Sequence, residues 1–346
     1  MPELISDLFI APVPARLREP KPVATVIIDT EEDFDWLTPV EGTPFDTTYL
    51  HHLDQLSPIL RAYGAVPTLL LTYPVLENPK VVTQLRRMAE RGDCALGLQL
   101  HAWITPPFAG QPRSDLSFAS NLDSEIEAQK LENLHEKFVD CFAMPPTVFR
   151  SGRYGLGPHT ARLISKLGVS IDTSLAPRTS MAGEGGLDYS AIDFEPFWFG
   201  DDRKLLELPL CRSVIGWGRA FGRAAYRWIN QPGRRRQILG AALARLGCAE
   251  RVTLSPEGNG AGAARRLTDA LLAREQRIFP LSFHSSSIWP GRNPYVRSRR
   301  DLHHFYDDLS AMLTDLADRT GCRFVRTDAI PGLLAPAGPQ PMTAAR

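Results

Sequence analysis

"VIIDTEEDFDWLTPV", residues 26–40, decides the fold. Its apolar run, Val26-Ile27-Ile28, reads as a strand buried on both faces, as in parallel sheets. The run stops at Asp29, and Glu31, Glu32, Asp33 and Asp35 follow almost at once. Like charges this close repel one another. Either the segment is a solvated loop, or positive charge belongs beside it.

The same punctuation recurs along the chain. Apolar runs at 24–29, 66–72, 95–101, 147–151, 169–172, 205–210, 279–284 and 323–326 predict strands. Helical spacing at 47–63, 80–91, 122–142, 158–167, 261–276 and 299–320 fills the intervals. Asn78-Pro79 opens the second of these helices, Gly92 closes it, and Asp123 caps the third. Strands alternating with helices imply parallel strands joined by crossovers. Seven or eight such units predict a distorted, TIM-like (β/α)7-8 barrel. The competitor is an open doubly wound sheet, but no G-x-G-x-x-G follows the first strand.

The 346 residues are 43% hydrophobic, enough for one large barrel domain, expected over 21–335. Residues 1–20 are expected to be flexible and 336–346 disordered. Region 212–260 breaks the rhythm and reads as an inserted helical pair split at Pro232-Gly233. Within it Arg219, Arg223 and Arg227 share a helix face. They form a solvated face, or a contact with an anionic partner such as a lipid headgroup or acidic glycan. Lys+Arg and Asp+Glu both total 39, so nothing supports a nucleic-acid partner. Five scattered cysteines without C-x-x-C spacing suit reduced thiols. The N-terminus lacks the pattern of a signal peptide, so a cytoplasmic location is expected.

In a barrel, chemistry collects where parallel strands end. Asp29, His101, Arg150, Asp172 and His284 all stand at or near the end of a candidate strand. Their repetition at corresponding ends predicts one shared site. Trp36, Trp103, Tyr154, Trp289 and Tyr295 fall just beyond strand ends, where they stack on sugar rings or anchor loops to the rim. Gly152 and Gly155 flank Arg153-Tyr154 and predict a tight turn. The adjacent pairs His51-His52 and His303-His304 lack the spacing of helical metal ligands and read as surface or packing residues. The loop "SPEGNG", 255–260, has no assigned role.

Four ordered blocks, "IDTEEDFDW", "LHAWITPP", "FRSGRYGLG" and "FHSSSIWPGRNPYVRS", resemble the signature blocks of the polysaccharide deacetylase (NodB-homology, carbohydrate esterase family 4-like) superfamily. Within it, the blocks look like those of the WalW-like group. The resemblance spans residues 24–330. It implies a distorted (β/α)7 barrel and a hydrolase that removes an N-acetyl or similar small acyl group from an amino sugar. It implies Asp29 as general base, His284 as general acid and Arg150 as the partner of the base. It further implies a divalent metal (zinc, manganese, magnesium or calcium) on Glu31, His101 and Asp29, with Asp33 or His284 in reserve. Trp103, Arg153, Tyr154, Asp172 and Trp36 would contact the carbohydrate.

The chemistry demands such residue types. An amide resists attack by water; a metal or a base must activate the water, and an acid must protonate the leaving amine. Two departures stand out. Thr30 follows Asp29 where the family places a second aspartate, and Thr105 stands where it places a second histidine. The alternative is therefore a glycan-binding pseudoenzyme of the same fold.

Overall fold

The computed structural model describes residues 8–9, 12–34, 45–108, 113–200, 203–216 and 249–335. Its strands are β1 (Val13–Pro14), β2 (Val23–Thr30), β3 (Thr68–Leu71), β4 (Ala95–Leu100), β5 (Val148–Ser151) and β6 (Ile171–Asp172). They continue with β7 (Phe197–Phe199), β8 (Leu205–Glu207), β9 (Arg212–Ile215), β10 (Glu250–Thr253), β11 (Ile278–His284) and β12 (Arg323–Phe324). The α-helices are α1 (Leu56–Arg61), α2 (Tyr73–Glu77), α3 (Pro79–Glu90), α4 (Ser124–Phe142), α5 (Thr160–Lys166), α6 (Gly260–Leu272) and α7 (Arg299–Thr314). Each predicted strand and helix has its counterpart, but 47–63 begins as a 3-10 helix (Thr48–Gln55) before α1, and 299–320 ends in a π-helical turn (Asp315–Arg319) after α7. Asn78 caps α3 by accepting from the Lys80 and Val81 amides, and Asp123 caps α4 through the Glu125 amide.

Strands β11, β2, β3, β4, β5, β6 and β8 pair in parallel in that order, so their C-terminal ends share one mouth. The sheet is rolled, not flat. Arg150 on β5 lies three strands from Asp29 on β2, a gap of roughly 14 Å in a flat sheet. Yet Arg150 Nη1 lies 2.6 and 2.7 Å from the two Asp29 oxygens. Only curvature brings the strands that close.

The core divides accordingly. A large apolar cluster, including Leu85, Leu134 and Phe138 of the helices and Val26 and Ile28 of β2, packs helices against the sheet. A second cluster gathers Ile27, Leu70, Val148, Ile171, Leu206 and Ile278, from six of the seven parallel strands. These residues fill the lumen. β4 has Gly97 there, because a Cβ would stand 2.7 Å from Val148 O and 2.8 Å from Leu70 Cδ2.

The ring closes through a seam. The Ser282 amide on β11 donates to Leu254 O, and the Leu254 amide donates to Cys211 O, just beyond β8. The result is a distorted (β/α)7 barrel. The edge of the sheet beyond β8 is lined by antiparallel β7 and then β1.

Two expectations are corrected. The stretch 1–20 is not flexible throughout: β1 pairs with β7, and buried Phe9 packs edge-on against Phe197 and Phe199 at 5.1 and 5.0 Å. Its apolar side chains cover the free edge of the sheet. Region 212–260 is not wholly helical either. β9 and β10 form an antiparallel pair, because Val214, Ile215 and Val252 bury themselves against the barrel. Residues 217–248, with Arg219, Arg223 and Arg227, and the tail 336–346 lie outside the described residues.

Candidate active site

A pocket of about 350 Å³ opens at the mouth where the parallel strands end. Asp29, Glu31, His101, Arg150, Arg153, Tyr154, Trp103 and His284 all line it. Strand alternation puts Asp29 and Glu31 on the same side, as the period of two predicts.

The crowded carboxylates are met by internal cations. Arg150 grips Asp29 through Nη1 and is itself fixed by Nε bonds to Thr173 O (3.2 Å) and Oγ1 (3.0 Å). Burial works against the Arg150 guanidinium, but the Asp29 charge outweighs it and raises its pKa. His101 Nδ1 meets Glu32 Oε1 at 2.7 Å, and its Nε2 lies 3.3 Å from Glu31 Oε2 and 3.1 Å from Gln99 Nε2. Burial alone would discharge this imidazole. Glu32 and Glu31 reverse the effect and push it up to about 9. Asp33 pairs with Arg292 at 2.6 Å and does not line the pocket. Burial raises the Glu31 carboxyl, while His284 and His101 oppose the rise.

His284 is seated by a residue the sequence left without a role. Glu257 Oε2 lies 2.9 Å from His284 Nδ1, and its Oε1 accepts from the His284 amide at 2.9 Å and from the Ser287 hydroxyl. Against the cost of burial, Glu257 and then Glu31 push the imidazole up to about 10. One signal could have found Glu257. It stands shortly after Val252 and Leu254, whose alternate apolar positions suit a strand, and so is another ionisable group just past a strand end.

Around these groups the walls are closely packed. Trp103 is buried and stacks on His101 with centroids 4.1 Å apart, so it braces that imidazole. Gly152 lies so close that a Cβ would stand 2.6 Å from His101 Cδ2. Arg153 and Tyr154 both have left-handed backbones, φ 51° and 56°, at a cost of about 1–3 kcal/mol each. That turn presents Arg153 to the pocket, where it pairs with Glu184 and donates to Ser117 Oγ at 2.6 Å.

Two expectations do not survive intact. Asp172 does not line the pocket: it is fully buried, bonded to Ser174 and beside Glu207. Burial raises its carboxyl to about 6 and raises Glu207 well above its ordinary value. Trp289 stacks on His52 at 3.8 Å rather than lining the pocket, whereas Tyr295 does line it. Trp36 lies outside the described residues.

The expected metal triad is not assembled. Among the described residues no three His, Cys, Asp or Glu side chains are grouped to hold a metal ion. Both Asp29 oxygens serve Arg150, which leaves Glu31 and His101 as a two-donor pair. Glu31 Oε1 and Gln99 Oε1 have no hydrogen-bond partner among the described residues, but one carboxylate, one amide and one imidazole fall short of the usual three-ligand zinc shell. The donor set therefore does not fit the implied metal as arranged.

No family model matches the chain, and no curated protein matches it. Solved structures do resemble it along most of its length. The chitin deacetylase of Colletotrichum lindemuthianum is 14% identical at a TM-score of 0.39, covering 94% of this chain and 96% of that one. The peptidoglycan deacetylase PdaC of Bacillus subtilis is 11% identical at 0.40, covering 91% and 93%. The Puue allantoinase is 11% identical at 0.49, covering 89% and 88%.

Proposed function

We propose that this chain is a hydrolase that removes an N-acetyl or similar small acyl group from an amino sugar. One observation carries the reading: Asp29 and His284 face one pocket 3.6 Å apart, each with its own orienting partner, Arg150 and Glu257. The sequence blocks that resemble polysaccharide deacetylases support the choice of an amino sugar.

In this reading Asp29 takes a proton from water as the water oxygen bonds to the acyl carbon. His284 then gives its proton to the nitrogen as the C–N bond breaks, releasing the amine and a carboxylic acid. Asp29 returns its proton to His284 and resets the pair. Arg150 and Glu257 are positioning residues. The four described cysteines are free thiols, which suits a cytoplasmic setting as part of the same proposal. No helix among the described residues is long and apolar enough to cross a membrane.

The test is acetate release from N-acetylated amino sugars, without added ions and with zinc, manganese, magnesium or calcium. Release that disappears in Asp29→Asn supports the reading. A second reading, a glycan-binding pseudoenzyme, draws on the unassembled metal triad. Sugar binding without acetate release under every ion would favour it.

A further inference from the structure

The pocket has a second wall whose charge the hydrolytic pair does not use. Arg212 on β9 and Arg251 on β10 both line it. In the β9–β10 register Arg212 faces Thr253, two residues from Arg251, so both arginines project from the same face of this small sheet. Arg212 is aimed by hydroxyls: Nε donates to Thr253 Oγ1 at 2.8 Å, and Nη1 donates to Thr179 Oγ1. Arg251 donates through Nη1 to Arg178 O at 3.2 Å and has no carboxylate at ion-pair distance among the described residues. The pocket acids are differently placed. Asp29 has Arg150, Glu31 has His101, Glu257 has His284 and Glu184 has Arg153. Tyr295 lines the same pocket. The guanidinium forks of this wall match the geometry of carboxylate and phosphate oxygens.

Building on the hydrolase reading, we infer that Arg212 and Arg251 bind an anionic group, a phosphate or a carboxylate, carried by the same sugar whose acyl group meets Asp29 and His284. Neutral N-acetyl sugars are then the poorer ligands. The inference concerns binding, so it is tested apart from turnover.

Three ligands separate the cases: methyl N-acetylglucosaminide (neutral), N-acetylglucosamine 1-phosphate, and N-acetylmuramic acid (carboxylate). Their affinities for the full chain are measured by calorimetry at low and moderate salt. At least one anionic ligand is expected to bind tenfold or more tighter than the neutral one, with the margin shrinking as salt rises. Which anion wins tells phosphate from carboxylate. In Arg251→Gln the anionic-to-neutral ratio falls toward one, while Arg251→Lys keeps part of it. Equal affinity for all three ligands, no binding of either anion at millimolar concentration, or an unchanged ratio in Arg251→Gln overturns the inference. The wild-type ratio decides even if the variant fails to fold. Acetate release is scored on the same ligands. Anion preference without release removes the hydrolase reading alone; release without preference removes the arginine wall alone.

Discussion

His284 Nε2 lies 3.6 Å from Asp29 Oδ2, and the two residues are Cα partners on adjacent parallel strands. The backbone ladder thus fixes their spacing, and side-chain packing only refines it. Each is clamped from behind by a residue distant in sequence, Arg150 or Glu257. A proton donor and a proton acceptor are held side by side in one pocket.

Asp29→Asn keeps the side-chain size and removes the base, though it also leaves buried Arg150 without its counter-charge, so activity is compared per folded molecule. Acyl release is expected to fall by about 10²–10⁴-fold. Arg150→Met instead leaves the buried Asp29 charge without its partner, which should cost about 3–5 kcal/mol of stability. Acetate assays and denaturant unfolding separate the two effects. Full activity in Asp29→Asn would end its assignment as base.

Glu257→Gln removes the charge that does most to lift His284 to about 10. An acid must be protonated, so activity is lost as pH rises through its pKa. The alkaline limb of the kcat/KM profile is expected to move down by about one pH unit or more. A purely structural Glu257 would lower the whole profile and leave the limb in place.

Buried Glu127 accepts from the Thr160 hydroxyl and sits under Gly157. Burial pushes its carboxyl from 4.5 up to about 7. The folded state therefore holds this proton more tightly than the unfolded chain. The associated stability is complete below pH 4.5 and is lost as pH rises through 7. Glu127→Gln should match wild type near pH 4 and exceed it at pH 8 by on the order of 1–3 kcal/mol. Paired thermal melts across that range check this; a constant difference would refute it.

Gly152→Ala drives a methyl group into His101 and Leu100 O. The expected cost is about 1–3 kcal/mol, with a larger loss of activity because His101 and Trp103 shift together. An alanine variant with wild-type melting temperature and turnover would show that this wall yields.

Much of this architecture was legible because parallel strands buried on both faces leave continuous apolar runs. That made β2, β4, β5 and β11 visible together with their terminal Asp29, His101, Arg150 and His284. Strands β9 and β10 pair antiparallel and carry mixed residues, such as Arg212-Ser213 and Glu250-Arg251, while β7 (Phe197-Trp198-Phe199) and β1 (Val13-Pro14) are too short to stand out as runs. Asp172 looked like its neighbours in sequence, but the register pairs it with Phe149, so its side chain turns to the helix side of the sheet, where its carboxyl is spent on Ser174 and Glu207. Glu257 and Arg292 act across more than twenty residues of chain, a relation that local periodicity does not encode.

The seam residue Leu254 follows directly on β10, so the ribbon and the ring meet there. Parallel strands bring the proton-transfer pair, whereas the β9–β10 ribbon contributes Arg212 and Arg251 from outside the ring. Under the proposed function, exchanging those two arginines alone would change which molecules are accepted, while Leu254 kept the ring closed and Asp29 and His284 kept their places on the parallel strands.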